Sequence, residues 1–449
     1  MKFPILENEK IVKLMREFDG YLVGGYVRDC ILGREAKDID ICSIKTPDKI
    51  DALLRRFGYK YRVHGKSYGV FVVTLSEDLE IELSAARRDF NHDGRHCEVE
   101  FVKSIEEDLA RRDLTINSIA VNADGFITDP FMGQVDINLK VIRFVGNAAD
   151  RIEEDNLRAF RALRFAHQLG FDLLGETKEA IDKYSRDVIF RARELVLSPE
   201  RMKDEIVKTL NHYDAFVSNH HWNSFAQLLD STGLPIMVTK GCPQPTKFHE
   251  FDVFNHIEKV LIHSTDLEVK LAALLHDLGK PATITFKDCG TPTFRGHEKV
   301  SANIAEEWMT NLKFPSQMVT DVVDLVEHHM MIIGETNKSK VKAVKKFSSV
   351  EVFKMWGQLR VADRLGKGNK LMDGVVENEL RLISESLNVE EKQPLKLEVS
   401  GHDVMQMFKL KPGKEVGDLL IACKELVMED PINNDREVLL NHLKEIRNG

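Results

Sequence analysis

The stretch YLVGGYVRDCILGREAKDIDICS, residues 21–43, decides the fold of the first third of the chain. Two glycines follow a short apolar run, and an Asp-Ile-Asp sequence comes further on. Residues i and i+2 of a strand point to one face, so Asp38 and Asp40 are expected side by side, with the isoleucines on the other face. Paired carboxylates suit Mg²⁺, which prefers hard oxygen ligands together with substrate phosphates.

The turn before these aspartates suits a triphosphate. Gly24 and Gly25 leave backbone amides uncovered, so a phosphate can approach the turn closely. Arg28 lies one helical turn further on, within reach of a phosphate. An isolated Asp-x-Asp is common in surface loops, but one that follows a Gly-Gly-x-x-Arg-Asp turn is far more specific. The stretch therefore predicts a metal-dependent nucleotide site.

The composition of the whole chain fits a globular protein with several domains. Its 449 residues exceed what one core supports, and 43% are apolar and 30% charged. No apolar run reaches the ~20 residues of a membrane span, and the amphipathic start suits no export signal. Six scattered cysteines favour a reducing cytoplasm. The net charge of −9 argues against coating nucleic acid by bulk attraction, although basic tracks at 55–66 and 338–346 remain candidates beside the simpler interpretation of solvated faces.

The order of strand-like and helical patterns predicts an α+β protein. Strand-like runs at 69–75 and 80–86 indicate an antiparallel or mixed sheet. Helical periodicity dominates from residue 151, with a Pro- and Gly-rich linker at 241–248 and a second boundary near 388–401. The predicted parts are a mixed α/β head (1–150), an all-α neck (151–240), a helical body (241–387) and a helical tail (388–449).

The helical segment 154–166 carries a pair of residues suited to base selection. Asp155 and Arg158 are three residues apart and are expected on one helix face. A carboxylate accepts hydrogen bonds and a guanidinium donates them, which matches cytosine and adenine but leaves guanine and uracil with unmatched groups at ~1–3 kcal/mol each. In isolation such a pair is more often a surface ion pair. Arg161 and Arg164 are candidates to hold the triphosphate, and Arg164 is equally a candidate for a solvated charge.

The motifs of the first half resemble, in the same order, those of the class II tRNA nucleotidyltransferases, the family of CCA-adding enzymes and bacterial poly(A) polymerases. RRDLTINSIA (111–120) and DPFMGQVDI (129–137) extend the resemblance between the Asp-x-Asp and the base-selecting helix. The resemblance implies in-line nucleotidyl transfer with two Mg²⁺ ions. It makes Asp38 and Asp40 catalytic together with a third carboxylate, Glu82. Further nucleotide contacts are implied from Arg112, Asp113 and Asn117.

The segment between residues 89 and 97 distinguishes members of this family. CCA-adding enzymes have a flexible loop there that helps the change from C to A addition, and CC-adding relatives have a shortened one. The loop of this chain has the full length. It departs from the common pattern at Asn91 or His92, where a Tyr is usual, and at Cys97, where a Pro is usual.

A second candidate site lies in the middle third, where histidines are concentrated. Any one of them alone is more often structural, but the ordered set resembles the metal site of the HD phosphohydrolases, with HDLGKP as its specific core. The resemblance implies one metal held by His256, His276, Asp277 and Asp363. For a second metal it implies His297 with His328 or His329, and of these adjacent residues we choose His328. Such ligands suit a divalent transition metal such as Ni²⁺, Mn²⁺ or Fe²⁺.

The sequence therefore predicts a cytoplasmic CCA-adding tRNA nucleotidyltransferase that uses CTP and ATP. An attached HD domain with phosphatase or 2′,3′-cyclic phosphodiesterase activity would act on RNA ends or nucleotides. The expected partner is tRNA, bound at its acceptor arm and, through the tail, at its elbow; membranes and DNA are not expected, and the oligomeric state is left open. Alternatives are a poly(A) polymerase, disfavoured by the mildly acidic charge, a nucleotide hydrolase with a degenerate transferase head, and a non-catalytic RNA-binding protein.

Overall fold

The computed structural model describes residues 3–36, 38–64, 68–77, 79–90, 98–191, 197–213, 218–368, 374–391, 397–429 and 433–448. The chain divides into two compact units. The first contains Met1–Met237 and Asn311–Phe314, and the second contains Val238–Thr310 and Pro315–Gly449. The division falls close to the predicted end of the neck at residue 240. The finer division into four parts stays a prediction.

The strands of the first unit are β1 (Gly20–Val23), β2 (Asp40–Ser43), β3 (Lys60–Val63), β4 (Val70–Ser76), β5 (Leu79–Ala85), β6 (Arg87–Phe90), β7 (Glu98–Phe101), β8 (Ala120–Asn122), β9 (Ile127–Thr128), β10 (Val141–Ile142) and β11 (Asp172–Leu173). Within the described residues, seven of them form a sheet in the order β3-β4-β5-β2-β1-β8-β9. β2 and β5 are parallel, and the other neighbours are antiparallel. β6 pairs with β7, and β10 pairs with β11. The predicted mixed sheet is confirmed.

Burial alternates along the two longest strands of this sheet. Phe71 and Val73 of β4 and Ile81 and Leu83 of β5 are buried, while the residues between them are more exposed. This period of two is expected of a sheet with one face packed against a core. The same alternation predicted strands at 69–75 and 80–86, each within a residue of its observed position.

The helices of the first unit surround the sheet and continue beyond it. They are α1 (Glu9–Glu17), α2 (Gly25–Ile31), α3 (Pro47–Phe57), α4 (Ile105–Ala110), α5 (Gly133–Leu139), α6 (Ala148–Glu154), α7 (Leu157–Leu169), α8 (Gly175–Arg191), α9 (Pro199–Asn211) and α10 (Ser218–Ser231). α9 has a capped start, because the Ser198 side chain accepts a hydrogen bond from the backbone N–H of Arg201 and Pro199 occupies the first turn.

The predicted base-selecting helix is interrupted at its start. Asp155 has an extended backbone, with φ −148° and ψ 105°, and separates α6 from α7. Its Oδ1 accepts from the Leu157 N–H at 3.1 Å, and its carbonyl accepts from the Arg158 N–H at 2.9 Å. Asp155 therefore caps α7 instead of belonging to it, a role that its short acidic side chain favours.

The described part of the second unit is helical apart from one short hairpin. Its elements are α11 (Val253–Ile262), α12 (Leu267–Leu275), α13 (Lys280–Thr283), β12 (Thr285–Phe286), β13 (Pro292–Thr293), α14 (His297–Asn311), α15 (Ser316–His328), α16 (Asn337–Val344), α17 (Val350–Leu365), α18 (Val375–Glu391), α19 (Gly401–Phe408), α20 (Lys414–Glu429) and α21 (Arg436–Asn448). The last three helices share a core that includes Val404, Cys423 and Leu439. The predicted α+β class is thus confirmed. Within the described residues, no helix is long and apolar enough to cross a membrane.

Candidate functional sites

Three carboxylates lie together where β2 and β5 run side by side. Asp40 begins β2 and is the register partner of Glu82 on β5. The Glu82 N–H donates to the Ile39 carbonyl at 3.1 Å, so pairing extends one residue before the strand. Asp38 precedes β2 and is exposed. Burial, Glu82 and Asp38 raise the pKa of Asp40 to about 6, against the opposing effect of Arg112.

This acidic cluster fits a divalent cation. Like charges and partial burial disfavour the ionised form of Asp40, and a bound cation would reverse that effect. Carboxylate oxygens are also the ligands that Mg²⁺ prefers. Asp38, Asp40 and Glu82 are therefore the residues that could hold magnesium.

The glycine turn between β1 and α2 passes close to the cluster. Gly24 has φ 70° and ψ −136°, a backbone conformation that side chains with a Cβ disfavour. A Cβ at this position would lie 3.3 Å from Nη1 of Arg112 and 3.5 Å from Oδ2 of Asp40. Glycine thus keeps the space beside the carboxylates open, next to Gly25 at the start of α2.

A cavity of about 1090 Å³ opens at this edge of the first unit. It is lined by all the residues predicted to form the nucleotide site, together with others that the sequence did not indicate. The cationic side chains of its wall are Arg28, Arg87, Arg111, Arg112, Arg158, Arg161, Arg164, Arg201 and Lys208. A wall that combines an acidic cluster with many guanidinium groups suits a triphosphate and the end of a nucleic acid chain.

Several predicted nucleotide-site residues hold one another in place. Arg28 is 5% exposed and donates through Nη1 to Oδ1 of Asn117 at 2.7 Å. Arg161 donates through Nε to Oδ2 of Asp113 at 2.7 Å. Burial acts to raise the pKa of Asp113, but Arg161 and hydrogen bonds to the carboxylate lower it to about 2. Arg112 donates twice to Oδ2 of Asp108, at 3.2 and 3.0 Å.

Asp155 and Arg158 both line the cavity, but the expectation that they share one helix face is wrong. Asp155 lies before α7, and its Oδ2 accepts from Nη2 of Arg201 at 2.9 Å. Arg158 is nearly buried and donates to Oε2 of Glu154 at 2.5 Å and to the Arg111 carbonyl at 3.1 Å. The i,i+3 spacing misled because Asp155 itself interrupts the helix, so the two residues are not on one continuous helix.

Arg164 is not a solvated charge. Its side chain is 11% exposed, and Nε donates to Oε2 of Glu205 at 2.6 Å. The guanidinium also lies 4.0 Å from the centroid of the Phe165 ring. Burial lowers the pKa of Arg164, and Glu205 acts against this effect.

The partners of these residues were not indicated by the sequence. Asp108, Glu154, Arg201 and Glu205 each pair with a residue of the cavity wall, and they come from α4, α6 and α9. Arg201 and Glu205 are four apart on α9 and so lie on one face. That spacing was the available signal, although many surface helices have it.

The second unit holds a buried cluster of histidines and aspartates. Two groups have ligand atoms within 4.8 Å of one another: His256, His276 and Asp363 form one group, and Asp277, His297 and His329 form the other. Oδ2 of Asp277 lies 3.2 Å from Nε2 of His276, and its Oδ1 lies 3.3 Å from Nε2 of His297. The Asp277 carboxylate therefore faces both groups.

The hydrogen bonds of the histidines set their tautomers. In each, Nδ1 contacts a backbone carbonyl: His256 with Gly366 at 3.1 Å, His276 with Ala273 at 2.8 Å, His297 with Phe294 at 2.7 Å and His329 with Val326 at 2.7 Å. Because a carbonyl only accepts, Nδ1 is the donor of each of these bonds, and Nε2 is the ring atom that faces the cluster. Metal-ligating histidines are oriented in this way.

Two buried atoms of this cluster have no hydrogen-bond partner in the described part of the chain. They are Nε2 of His276 and Oδ1 of Asp277. Buried polar atoms are nearly always paired, so their state calls for a ligand. Imidazole nitrogens and carboxylate oxygens in this arrangement fit a divalent transition metal.

The structure places His329 at this cluster, and not His328, the residue chosen from the sequence. Nδ1 of His328 contacts the Asp324 carbonyl at 3.0 Å, and its ring packs against Phe347. His329 lies at the end of α15, and its Nε2 is 3.1 Å from Nε2 of His297. Successive helical residues project about 100° apart, so only one of the two histidines can face the cluster.

A lysine that the sequence did not indicate also contacts this cluster. Nζ of Lys280, which is 7% exposed, donates to Oδ2 of Asp277 at 2.6 Å and to Oε1 of Gln244 at 2.7 Å. Burial acts to raise the pKa of Asp277, but His276 and Lys280 hold it well below the usual value.

The predicted loop at residues 89–97 is described only at its base. Asn91, His92 and Cys97 lie outside the described residues. Asp89 lies on β6, where it accepts from Nε of Arg87 at 3.2 Å and from Nη1 of Arg111 at 3.4 Å. The side chains at the base of the loop thus reach the wall of the cavity.

Comparisons with known proteins agree with this geometry. Residues 20–143 match the poly A polymerase head domain, and residues 297–443 match tRNA nucleotidyltransferase domain 2. The CCA-adding enzyme of Staphylococcus aureus (strain MRSA252) is 40% identical over 208 residues, which are 46% of this chain and 50% of that protein. The match therefore spans about half the length of this relative. The CCA-adding enzyme of Bacillus pumilus (strain SAFR-032) is 29% identical over 447 residues, 98% of this chain and 96% of the relative.

The fold is shared with solved structures. The CCA-adding enzyme of Bacillus stearothermophilus in complex with CTP aligns with a TM-score of 0.62 at 23% identity, over 100% of this chain and 99% of that chain. The sheet with its acidic edge thus defines a nucleotidyltransferase head of the poly(A) polymerase type. Two segments of the chain thus match domains of poly(A) polymerases and tRNA nucleotidyltransferases, and along almost its whole length the chain is similar to CCA-adding enzymes.

Proposed function

We propose that this protein adds or repairs the 3′-terminal CCA of tRNA, using CTP and ATP without a nucleic acid template. The observation that carries the proposal is the meeting of Asp38, Asp40 and Glu82 beside the Gly24 turn, in a cavity rich in guanidinium groups. The names of the Staphylococcus and Bacillus relatives support the same function.

Metal binding belongs to this proposal. Asp38, Asp40 and Glu82 hold two Mg²⁺ ions, which when bound stabilise the charge on the attacking 3′-hydroxyl and the leaving pyrophosphate. The protein's own residues bind and orient the substrates. Arg112, Asp113, Asn117 and Arg161 hold the nucleotide sugar and phosphates together with Arg28 and Arg164, while Gly24 and Gly25 let the phosphates approach the backbone.

Base selection follows from the donors and acceptors that remain beside the reaction centre. Each carboxylate oxygen of Asp155 has one recorded hydrogen bond and can accept a second, from the amino group of cytosine or adenine. Arg158 is anchored through Nη1 and Nη2, and no partner is recorded for its Nε among the described residues. Guanine and uracil would leave these groups unmatched.

A direct test uses tRNA that lacks its 3′-terminal CCA, supplied with each nucleoside triphosphate singly and then with all four. Addition of C, C and A in order, followed by a stop, is expected. Long A tails would instead establish a poly(A) polymerase, and absence of incorporation would refute both transferase functions. Asp38→Ala and Asp40→Ala should lose incorporation and still bind tRNA.

The buried cluster of the second unit supports a second activity. We propose that His256, His276, Asp277, His297, His329 and Asp363 hold divalent transition metal ions and form a phosphohydrolase that acts on RNA ends, with 2′,3′-cyclic phosphates as substrates. The carrying observation is the set of four histidine Nε2 atoms that face the Asp277 carboxylate. When bound, the metals supply an activated water.

Hydrolysis can be tested independently of nucleotide addition. The protein, loaded in turn with Ni²⁺, Mn²⁺ or Fe²⁺, is assayed on a 2′,3′-cyclic nucleotide. His276→Ala and Asp277→Ala should abolish hydrolysis while incorporation by the first unit continues. Hydrolysis that is equal in wild type and both variants would show that the cluster is not its source.

A further inference from the structure

Arg201 of α9 contacts the residue that faces the nucleobase in the proposed function. Its Nη2 donates to Oδ2 of Asp155 at 2.9 Å, across 46 residues of sequence. Both side chains line the cavity, where Arg201 is 41% exposed and Asp155 25% exposed. No motif singled out in the sequence included Arg201.

The geometry points to Arg201 as a positioning residue that sets nucleotide selectivity by fixing the Asp155 carboxylate. The inference rests on the proposed function, because it concerns how Asp155 selects a base. The torsion that turns a carboxylate about its Cβ–Cγ bond is intrinsically broad. Oδ1 of Asp155 is held by the Leu157 N–H, and Oδ2 is held by Arg201. One donor on each oxygen fixes the carboxylate plane and leaves an acceptor site on each.

Arg158, the other half of the selecting pair, is fixed by different groups. Glu154 and the carbonyls of Arg151 and Arg111 anchor it. The two side chains are thus oriented by different helices: a residue of α6 holds the Arg158 guanidinium, and a residue of α9 holds the Asp155 carboxylate. Loss of Arg201 should therefore disturb the acceptor and leave the donor in place.

The test compares wild type with Arg201→Ala and Arg201→Lys, measuring kcat and KM for CTP, UTP and GTP on tRNA lacking its CCA end and for ATP on tRNA that ends in CC. In Arg201→Ala, the ratio of kcat/KM for CTP to that for UTP should fall about tenfold, which corresponds to losing one oriented hydrogen bond. Arg201→Lys keeps the cation and should restore part of the ratio. The control is Lys203→Ala, a cation of α9 whose Nζ lies 3.6 Å from Asp204 and which does not line the cavity.

The alternatives give different results. An equal loss of kcat/KM for all four nucleotides in Arg201→Ala would make Arg201 a phosphate-binding or purely structural residue and overturn the inference, as would unchanged selectivity. Thermal melts of both variants detect a folding defect, and the conservative Arg201→Lys variant tests the inference if Arg201→Ala does not fold. Wild type that adds neither C nor A would refute the proposed function itself, an outcome visible before any variant is compared.

Discussion

Asp38 and Glu82, at the edge of β2 and β5, are exposed to solvent, whereas Asp277 and Asp363 in the second unit are 1% and 7% exposed. Burial by itself raises the pKa of a carboxyl, yet the lowered pKa values belong to the more buried cluster. Burial and neighbouring carboxylates raise the pKa of Asp40, the partly buried member of the first cluster, to about 6. The fully buried Asp277 has a lowered pKa because histidines and Lys280 outweigh burial.

The difference shows how each cluster is stabilised without its ligands. The first is a set of like charges that the protein compensates only in part, so it is suited to a cation that arrives with a substrate phosphate. In the second, the charges are largely compensated within the protein, because imidazoles, carboxylates and an ammonium group face one another inside the unit. Substitutions in the first cluster should therefore lower incorporation without lowering stability, whereas substitutions in the second should lower stability as well as hydrolysis.

The largest effect is expected for Asp40→Asn. Incorporation should fall by at least about 10³-fold, because the cluster loses an anionic ligand that stabilises transition-state charge. The melting temperature should not fall, since asparagine removes like-charge repulsion with Glu82. Single-turnover incorporation and calorimetry measure the two effects. Glu80→Gln is the control, because Glu80 lies on β5, the strand of Glu82, and pairs with Arg62 at the surface.

The pH dependence of this variant sharpens the comparison. A carboxyl with a raised pKa in the folded protein costs stability as the pH rises from about 4 to about 6, and the cost then stays constant. The stability advantage of Asp40→Asn should therefore be absent below pH 4, grow to about pH 6 and level off. A melting temperature that falls at every pH would make Asp40 a structural residue.

Asp277→Asn should have the next largest effect, and it should act on stability. In metal-free protein, the free energy of unfolding is expected to fall by about 3–5 kcal/mol, because Lys280 would be left as a buried charge without its anion. The lowered pKa means that this stabilisation is present at neutral pH and is lost as the pH falls. Denaturant titration in the presence of a chelator measures it.

The control for this prediction is Asp266→Asn. Asp266 is an exposed residue before α12 whose side chain makes no capping hydrogen bond. Its substitution should change stability by less than about 0.5 kcal/mol. Equal effects of Asp277→Asn and Asp266→Asn would mean that the charges of the second cluster are neutralised by their neighbours no better than those of the first.

His328→Ala and His329→Ala test which of two adjacent histidines completes the buried cluster. His329→Ala removes an Nε2 that faces His297 and should reduce bound transition metal by about one ion per chain. His328→Ala removes a ring packed against Phe347 and should leave the metal content unchanged while slightly lowering stability. Metal analysis of the purified variants decides the matter, and metal loss from His328→Ala alone would reverse the correction made from the structure.

The sequence predicted the reacting groups better than the residues that hold those groups in place. Strand-like apolar patterns and the glycine turn indicated the sheet, and the resemblance to a known family indicated Glu82 as a third carboxylate beside Asp38 and Asp40. The sequence could not predict the break at Asp155, because capping competes locally with helix extension and the spacing of apolar residues is the same either way. Nor could it choose between His328 and His329, because the residue that faces the cluster depends on which side of α15 packs against the rest of the unit. The sequence also did not indicate partners such as Arg201 and Lys280. Arg201 lies far along the chain from the residue that it contacts, and Lys280 has an i,i+3 spacing that is common in helices.

The smallest effect is expected for Glu154→Gln, which weakens the hold on Arg158. The guanidinium would lose its charged partner but keep the carbonyls of Arg151 and Arg111, so kcat/KM for CTP and ATP should fall only about tenfold. Glu153→Gln, a change at the exposed neighbouring residue, is the control. Steady-state kinetics measure both variants, with CTP on tRNA lacking its CCA end and with ATP on tRNA that ends in CC. A loss as large as that of Asp40→Asn would mean that the base-selecting wall depends on a single ion pair, as the buried cluster depends on Asp277. A tenfold loss would mean that the open site spreads its orienting contacts over several groups and so tolerates the absence of any one.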